Sequence, residues 1–143
     1  MNADLQAAPR DAVVALAASL LIDRTVEHLQ VPHEGLWLLR MHEPVRGDHY
    51  FIGEVPVGQA AVRVHDAVLG SANGSAVLLH ADRDHAVAAA VCLAVIQAGW
   101  PGAEAVQAVV AEGAAIRAQA ARQRAAIRER TRVDFAELGQ EGG

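Results

Sequence analysis

Apolar residues recur at helical spacing near both ends of the chain and alternate with polar ones in between. After Pro9, Arg10 and Asp11, the positions Val13, Leu16, Ala17, Leu20 and Leu21 share one stripe, which predicts a helix ending near Ile22. Asp23 is placed to cap a second short helix through Leu29, with Glu27 in its first turn. Pro32 and Gly35 then interrupt the pattern. The run Leu36-Trp37-Leu38-Leu39 predicts a buried strand, residues 41–49 with Pro44, Gly47 and Asp48 predict a loop, and Tyr50-Phe51-Ile52 predicts a short strand.

Between Ala60 and His65 the rhythm is two, with Val62 and Val64 on one side and Ala61, Arg63 and His65 on the other. This is the mark of a half-exposed strand. Asn73-Gly74 suits a primed turn and predicts a hairpin between residues 68–72 and 75–79. From residue 86 to about 98 the chain is apolar on all sides, which predicts a buried helix capped by Asp82 or Asp84 and ended by Gly99 and Pro101. A long helix follows from about Ala103, with Val106, Val109, Gly113, Ile116, Ala120, Gln123 and Ile127 on a heptad-like seam. The predicted fold is α+β: N-terminal helices, a small antiparallel sheet of three to four strands, a buried middle helix and a long C-terminal helix.

Composition sharpens this picture. The chain has 143 residues, 52% apolar but only 3% aromatic, with alanine dominant. One domain over residues 1–143 is expected, with residues 136–143 as a flexible tail. Alanine-rich helices bury little area each, so a partner would add stability. The only cysteine, Cys92, lies in an apolar run, which excludes an internal disulfide and fits a reducing, cytoplasmic setting. Residues 12–22 are too few to span a bilayer, and neither a signal peptide nor an anchor is expected.

Charge is unevenly placed. Arg117, Arg122, Arg124, Arg128, Arg130 and Arg132 face only Glu129 in the segment 114–133, on a chain whose net charge is −5. The remainder is correspondingly acidic. Such polarity suits a chain that docks onto an acidic surface or a phosphate group. Aromatics that would stack bases are missing from the segment, so a nucleic-acid partner is not expected.

The residues with most chemical content are His80, Asp82, Asp84 and His85, in the order H-x-D-x-D-H after an apolar strand and before a helix. Imidazoles and carboxylates at a strand end suit zinc, iron or manganese, although in the similar H-x-H-x-D-H signature of the metallo-β-lactamase fold a histidine stands at the place of Asp82. The favoured reading is simpler: Asp82 or Asp84 is an N-cap and His85 a first-turn residue. The pairs His28/His33 and His42/His49 lack a third ligand. The glycines around Ser71 and Asn73 lack the lysine and spacing of a phosphate loop. Cys92, among alanines, valine and leucine, reads as core rather than nucleophile.

Three blocks carry a family resemblance. Gly53-Glu54, Ala61-Val62-Arg63-Val64 and Gly70 form the first, Asp82-Arg83-Asp84-His85-Ala86 the second, and Thr131-Arg132-Val133-Asp134-Phe135 the third. They resemble, in order, the strand region, the helix start and the closing signature of PhnG, the G subunit of the bacterial carbon–phosphorus lyase core complex. The chain departs from that pattern at Gly58-Gln59, where Thr-Arg is usual, at His80-Ala81, where Gly-Arg is usual, and after Phe135, where residues 136–140 replace a second aromatic and a Met-x-Arg-Gly ending. The hairpin around Asn73-Gly74 reads as a few residues longer than usual.

The resemblance implies a subunit of a two-fold symmetric assembly with the H, I and J subunits. With I, H and L it implies support for displacement of adenine from MgATP by an alkylphosphonate, giving α-D-ribose 1-phosphonate 5-triphosphate. An iron–sulfur cluster and S-adenosylmethionine belong to the J subunit, and no cofactor or catalytic residue is expected in this one. The expected contact surface is Arg132, Asp134 and Phe135, joined by Arg128, Arg63 and Glu54. Two other readings stand beside it: a small metal-dependent enzyme using His80, Asp82, Asp84 and His85, and a homodimeric module whose heptad-like seam pairs with itself.

Overall fold

A computed structural model describes residues 1–131. The elements are α1 (Asn2–Ala7), α2 (Arg10–Leu20), β1 (Arg24–His42), β2 (His49–Asp66), β3 (Gly70–Leu78), α3 (Arg83–Ala98) and α4 (Ala103–Arg130). The three strands form one antiparallel sheet in the order β1-β2-β3. The expected α+β architecture is present, with the buried middle helix as α3 and the long last helix as α4.

Alternation builds the inner face of the sheet. Ala60, Val62 and Val64 of β2 and Ala72, Ala76 and Leu78 of β3 are buried together. Helix α3 covers them through an almost continuous buried run from His85 to Val95, and α2 packs on α3, with Val13, Ala17 and Leu20 buried. Cys92 is inside this layer, and burial pushes its thiol up to about 11, so it packs as an apolar residue. The outer face is polar. Arg63 donates to Asn73 (3.0 Å) and Glu27 (3.3 Å), while His65 meets Ser71 (2.8 Å) and Glu27 (3.3 Å).

Several strand expectations are corrected. The segment expected as a helix from Asp23 to Leu29 is the start of β1, where Thr25 and Val26 pair with His65 and Val64. β-Branched residues favour that pairing over one helical turn. The loop expected over 41–49 shrinks to a turn at 43–48, in which the Glu43 carboxylate accepts from the amides of Val45 (2.9 Å) and Arg46 (2.6 Å). The short strand at Tyr50 and the alternating strand at Ala60 are parts of one strand, β2.

Asn73-Gly74 is not a turn, so the expected extra hairpin does not exist. Both residues lie inside β3, paired with Arg63 and Val62. The real turn follows Asp66, whose Oδ1 accepts from the amides of Val68 (2.9 Å) and Leu69 (3.0 Å). Gly74 serves close packing instead: helix α3 passes so near that a Cβ would overlap the carbonyl oxygen of Ala90.

At the N-terminus the sequence reading missed α1. Pro9 separates it from α2, and its Leu5 is fully buried. It docks on α4 where Gly113 leaves room for its backbone, and Arg117 bonds Asp4 at 2.5 Å. The seam on α4 is thus half used. Val106 and Gly113 are buried, but Ile116 and Ile127 are 40% and 61% exposed.

Candidate functional site

Two features are candidates for a functional site, and the first lies where β3 hands over to α3. Asp82 caps α3, as one of the two sequence alternatives predicted: its Oδ1 accepts from the amide of His85 at 2.9 Å. Its Oδ2 accepts from Arg10 Nε at 2.5 Å, which ties the start of α2 to the start of α3. Arg10 foremost, and the His85 amide, hold the Asp82 carboxyl down to about 2.

His85 is buried on the inner side of that first turn. Its Nε2 donates to the carbonyl of Leu5 at 3.2 Å, which leaves Nδ1 carrying the lone pair. His80 Nε2 stands 3.1 Å from that Nδ1. Burial, then the neighbouring His80, lowers the His85 pKa and favours the neutral ring. His80, Asp82 and His85 each offer a ligand atom, all within 4.8 Å of one another. Asp84 does not join them. It is exposed, pairs with Arg83 at 3.5 Å, and lines a shallow groove with His28, Pro32 and Val87.

The second feature is a two-stranded arm. β3 pairs with β2 only from Gly58 to Asp66. Beyond it, β1 and β2 continue alone from Gly35/Val57 to His42/His49. Neighbouring residues on a strand face opposite sides, yet Leu36, Trp37, Leu38 and Leu39 are all exposed, at 62, 49, 60 and 45%. Tyr50, Phe51 and Ile52 on the facing strand are exposed as well. The expected buried strand at Leu36 is therefore a strand, but an uncovered one, apolar on both faces. Pro32 falls in a register irregularity at its base, where the missing amide proton costs no ladder bond. At its tip the rings of His42 and His49 meet at a tilt of 50°, with centroids 4.9 Å apart.

A family model, phosphonate metabolism protein PhnG, matches residues 1–139. The chain belongs to the PhnG family. It therefore has its role in phosphonate metabolism. No curated protein matches it.

The PhnG match takes in both features and the arginine-rich helix. Of the six residues expected at a contact surface, Arg132, Asp134 and Phe135 lie outside the described residues. The other three sit on separate parts of the fold. Glu54 is exposed on the arm opposite Leu38, Arg63 is half-exposed in the outer-face network, and Arg128 is exposed near the end of α4. No hydrogen bond or ion pair among the described residues joins any two of them. On α4, Arg117 reaches back to Asp4, whereas Arg122, Arg124, Arg128 and Arg130 make no ion pair among the described residues.

The uncovered apolar arm is the feature that sequence reasoning missed. Its signal was present: apolar residues on consecutive positions of both strands cannot all face one core. No helix among the described residues is long and apolar enough to cross a membrane.

Proposed function

We propose that this PhnG-family chain is a docking subunit, without catalytic residues of its own, of the carbon–phosphorus lyase core complex. The observation that supports it best is the two-faced apolar arm at Leu36, Trp37, Leu38, Leu39, Tyr50, Phe51 and Ile52. An isolated two-stranded ribbon is marginal in water. Enclosing one such side chain contributes roughly 1.5–3 kcal/mol, so a partner that wraps the arm gains strongly and keeps the ribbon formed. Contiguous exposed apolar surface of this kind marks protein–protein contact sites.

The occupant in this reading is the I subunit, with the H and J subunits completing the assembly. The solvated second half of α4, with Arg122, Arg124 and Arg128, adds steering toward an acidic surface. MgATP, the iron–sulfur cluster and S-adenosylmethionine act in other subunits, and this chain supports the displacement of adenine from MgATP by an alkylphosphonate through assembly. Co-purification with an I-type subunit tests the proposal. Stable association that survives high salt is expected, since apolar burial is not screened. If the chain instead self-associates through α4 and ignores the I subunit, the homodimer reading replaces this one.

A further inference from the structure

We infer that His80, Asp82 and His85 form a binding site for a divalent transition metal of the zinc type. The inference is independent of the docking proposal and rests on three features of the cluster.

The first is spacing. Two zinc–nitrogen bonds at a tetrahedral angle put the nitrogens roughly 3.3 Å apart. His80 Nε2 and His85 Nδ1 stand 3.1 Å apart with the Asp82 carboxylate beside them, all within 4.8 Å. Very small shifts admit the ion between the two rings, and the fourth position is left for water.

The second is the orientation of His85. Metal-binding imidazoles almost always donate their other ring N–H to a carbonyl or carboxylate, which fixes the tautomer. His85 Nε2 does so to Leu5 O at 3.2 Å, aiming the Nδ1 lone pair at the cluster. The ring is 2% exposed and held by its surroundings, so little entropy is lost on binding.

The third is the capacity of Asp82. An ionised carboxylate has about four lone-pair positions. The amide of His85 and the guanidinium of Arg10 occupy some of them, and the rest remain for a metal. Two imidazoles and one carboxylate are a donor set that zinc accepts. Arg10 is a cation beside the same carboxylate and opposes a second one. Its side chain is 47% exposed and can turn to water. The ion would thus join the end of β3, the first turn of α3 and, through His85, the carbonyl of Leu5 in α1.

The test is calorimetric titration of the chelator-stripped full chain with zinc chloride, with cobalt(II) absorption as a second readout. One tight site per chain is expected, with a visible cobalt band of tetrahedral intensity and a raised thermal midpoint. His80→Ala and Asp82→Asn should each weaken binding by about tenfold or more, since even indirect partners of a metal cost that much. Asparagine keeps the helix cap, so Asp82→Asn remains folded. Arg10→Gln should tighten binding. The double variant His42→Ala/His49→Ala, at the tip of the arm, should bind as the parent does. The inference is overturned if the stripped chain takes up no zinc. It is equally overturned if both His80→Ala and Asp82→Asn bind zinc as the parent does, whatever the arm-tip variant does.

Discussion

Gly74 of β3 lies directly under the carbonyl oxygen of Ala90 in α3, with Ala94 beside it. The inner face of β3 and the alanine-rich face of α3 approach so closely because neither carries bulk at the crossing. This contact sets how deep the middle helix sinks into the sheet, and hence where Asp82 and His85 stand at its N-terminus. Gly74→Ala is expected to destabilise the isolated chain by about 1–3 kcal/mol through overpacking. Gly74→Asn should be no better, although asparagine suits a primed turn. Urea unfolding of the two variants checks this. Tolerance of asparagine alone would restore the turn assignment.

A second prediction concerns acid stability. Asp66 accepts from the amides of Leu69 and Val68 and from Arg24 Nε at 2.9 Å, and these bonds hold its carboxyl at about 2 rather than 3.8. A folded-state value below the unfolded one contributes stability that is complete above the ordinary value. It is lost as the pH falls through the folded value. The contribution of Asp66 should therefore disappear between about pH 4 and about pH 2. Arg24 also donates to Leu20 O and lies over the Trp100 ring at 5.3 Å, so the pair ties α2, the β2–β3 turn and the end of α3 together. Asp66→Ala should lower the thermal midpoint at neutral pH and flatten its fall in that acid window. An unchanged acid profile would show that the turn carries no such linkage.

The closing block supplies a third prediction. Arg132, Asp134 and Phe135 lie outside the described residues, and we propose them as a contact element. A charge pair flanking an aromatic has the make-up of an interface hot spot, where truncation costs about 2 kcal/mol or more. Removal of everything after Arg130 should leave the thermal midpoint unchanged and abolish assembly. Unfolding of the truncated chain would make the block an internal clasp instead.

Gly113 gives a fourth. The backbone of α1 crosses α4 there, so that a Cβ would overlap the carbonyl oxygen of Asp4. Gly113→Val should release α1 from α4 and lower stability by about 1–3 kcal/mol. Proteolysis near the N-terminus should rise with it. If the N-terminal segment stays as protected as in the parent, the packing of α1 does not depend on that glycine.

Local signals were enough where one element decides its own fate. Asp82, Gly99 and the apolar run between them set α3, and the alternation at Val62 and Val64 set the inner face of β2. They failed where distant partners decide. Asp23 and Glu27 look like the start of a helix, but Thr25 and Val26 are claimed by β2. Asn73-Gly74 carries a turn signature, but the true requirement is the approach of Ala90, sixteen positions along the chain. The run at Leu36 is equally apolar whether its cover is this chain or another one. Of the metal-type cluster, His80, Asp82 and His85 converge, while Asp84 does not join them, because one residue of helix turns it from His85 by about 100°.

The central claim is that the arm formed by β1 and β2 is an interface, and paired substitutions on it test that claim most directly. Trp37→Glu and Phe51→Glu change exposed side chains, so the isolated chain should keep its stability within about 0.5 kcal/mol. In co-purification with an I-type subunit, the parent chain should be retained and the double variant lost at both low and high salt. Retention of the double variant with undiminished affinity would contradict the account.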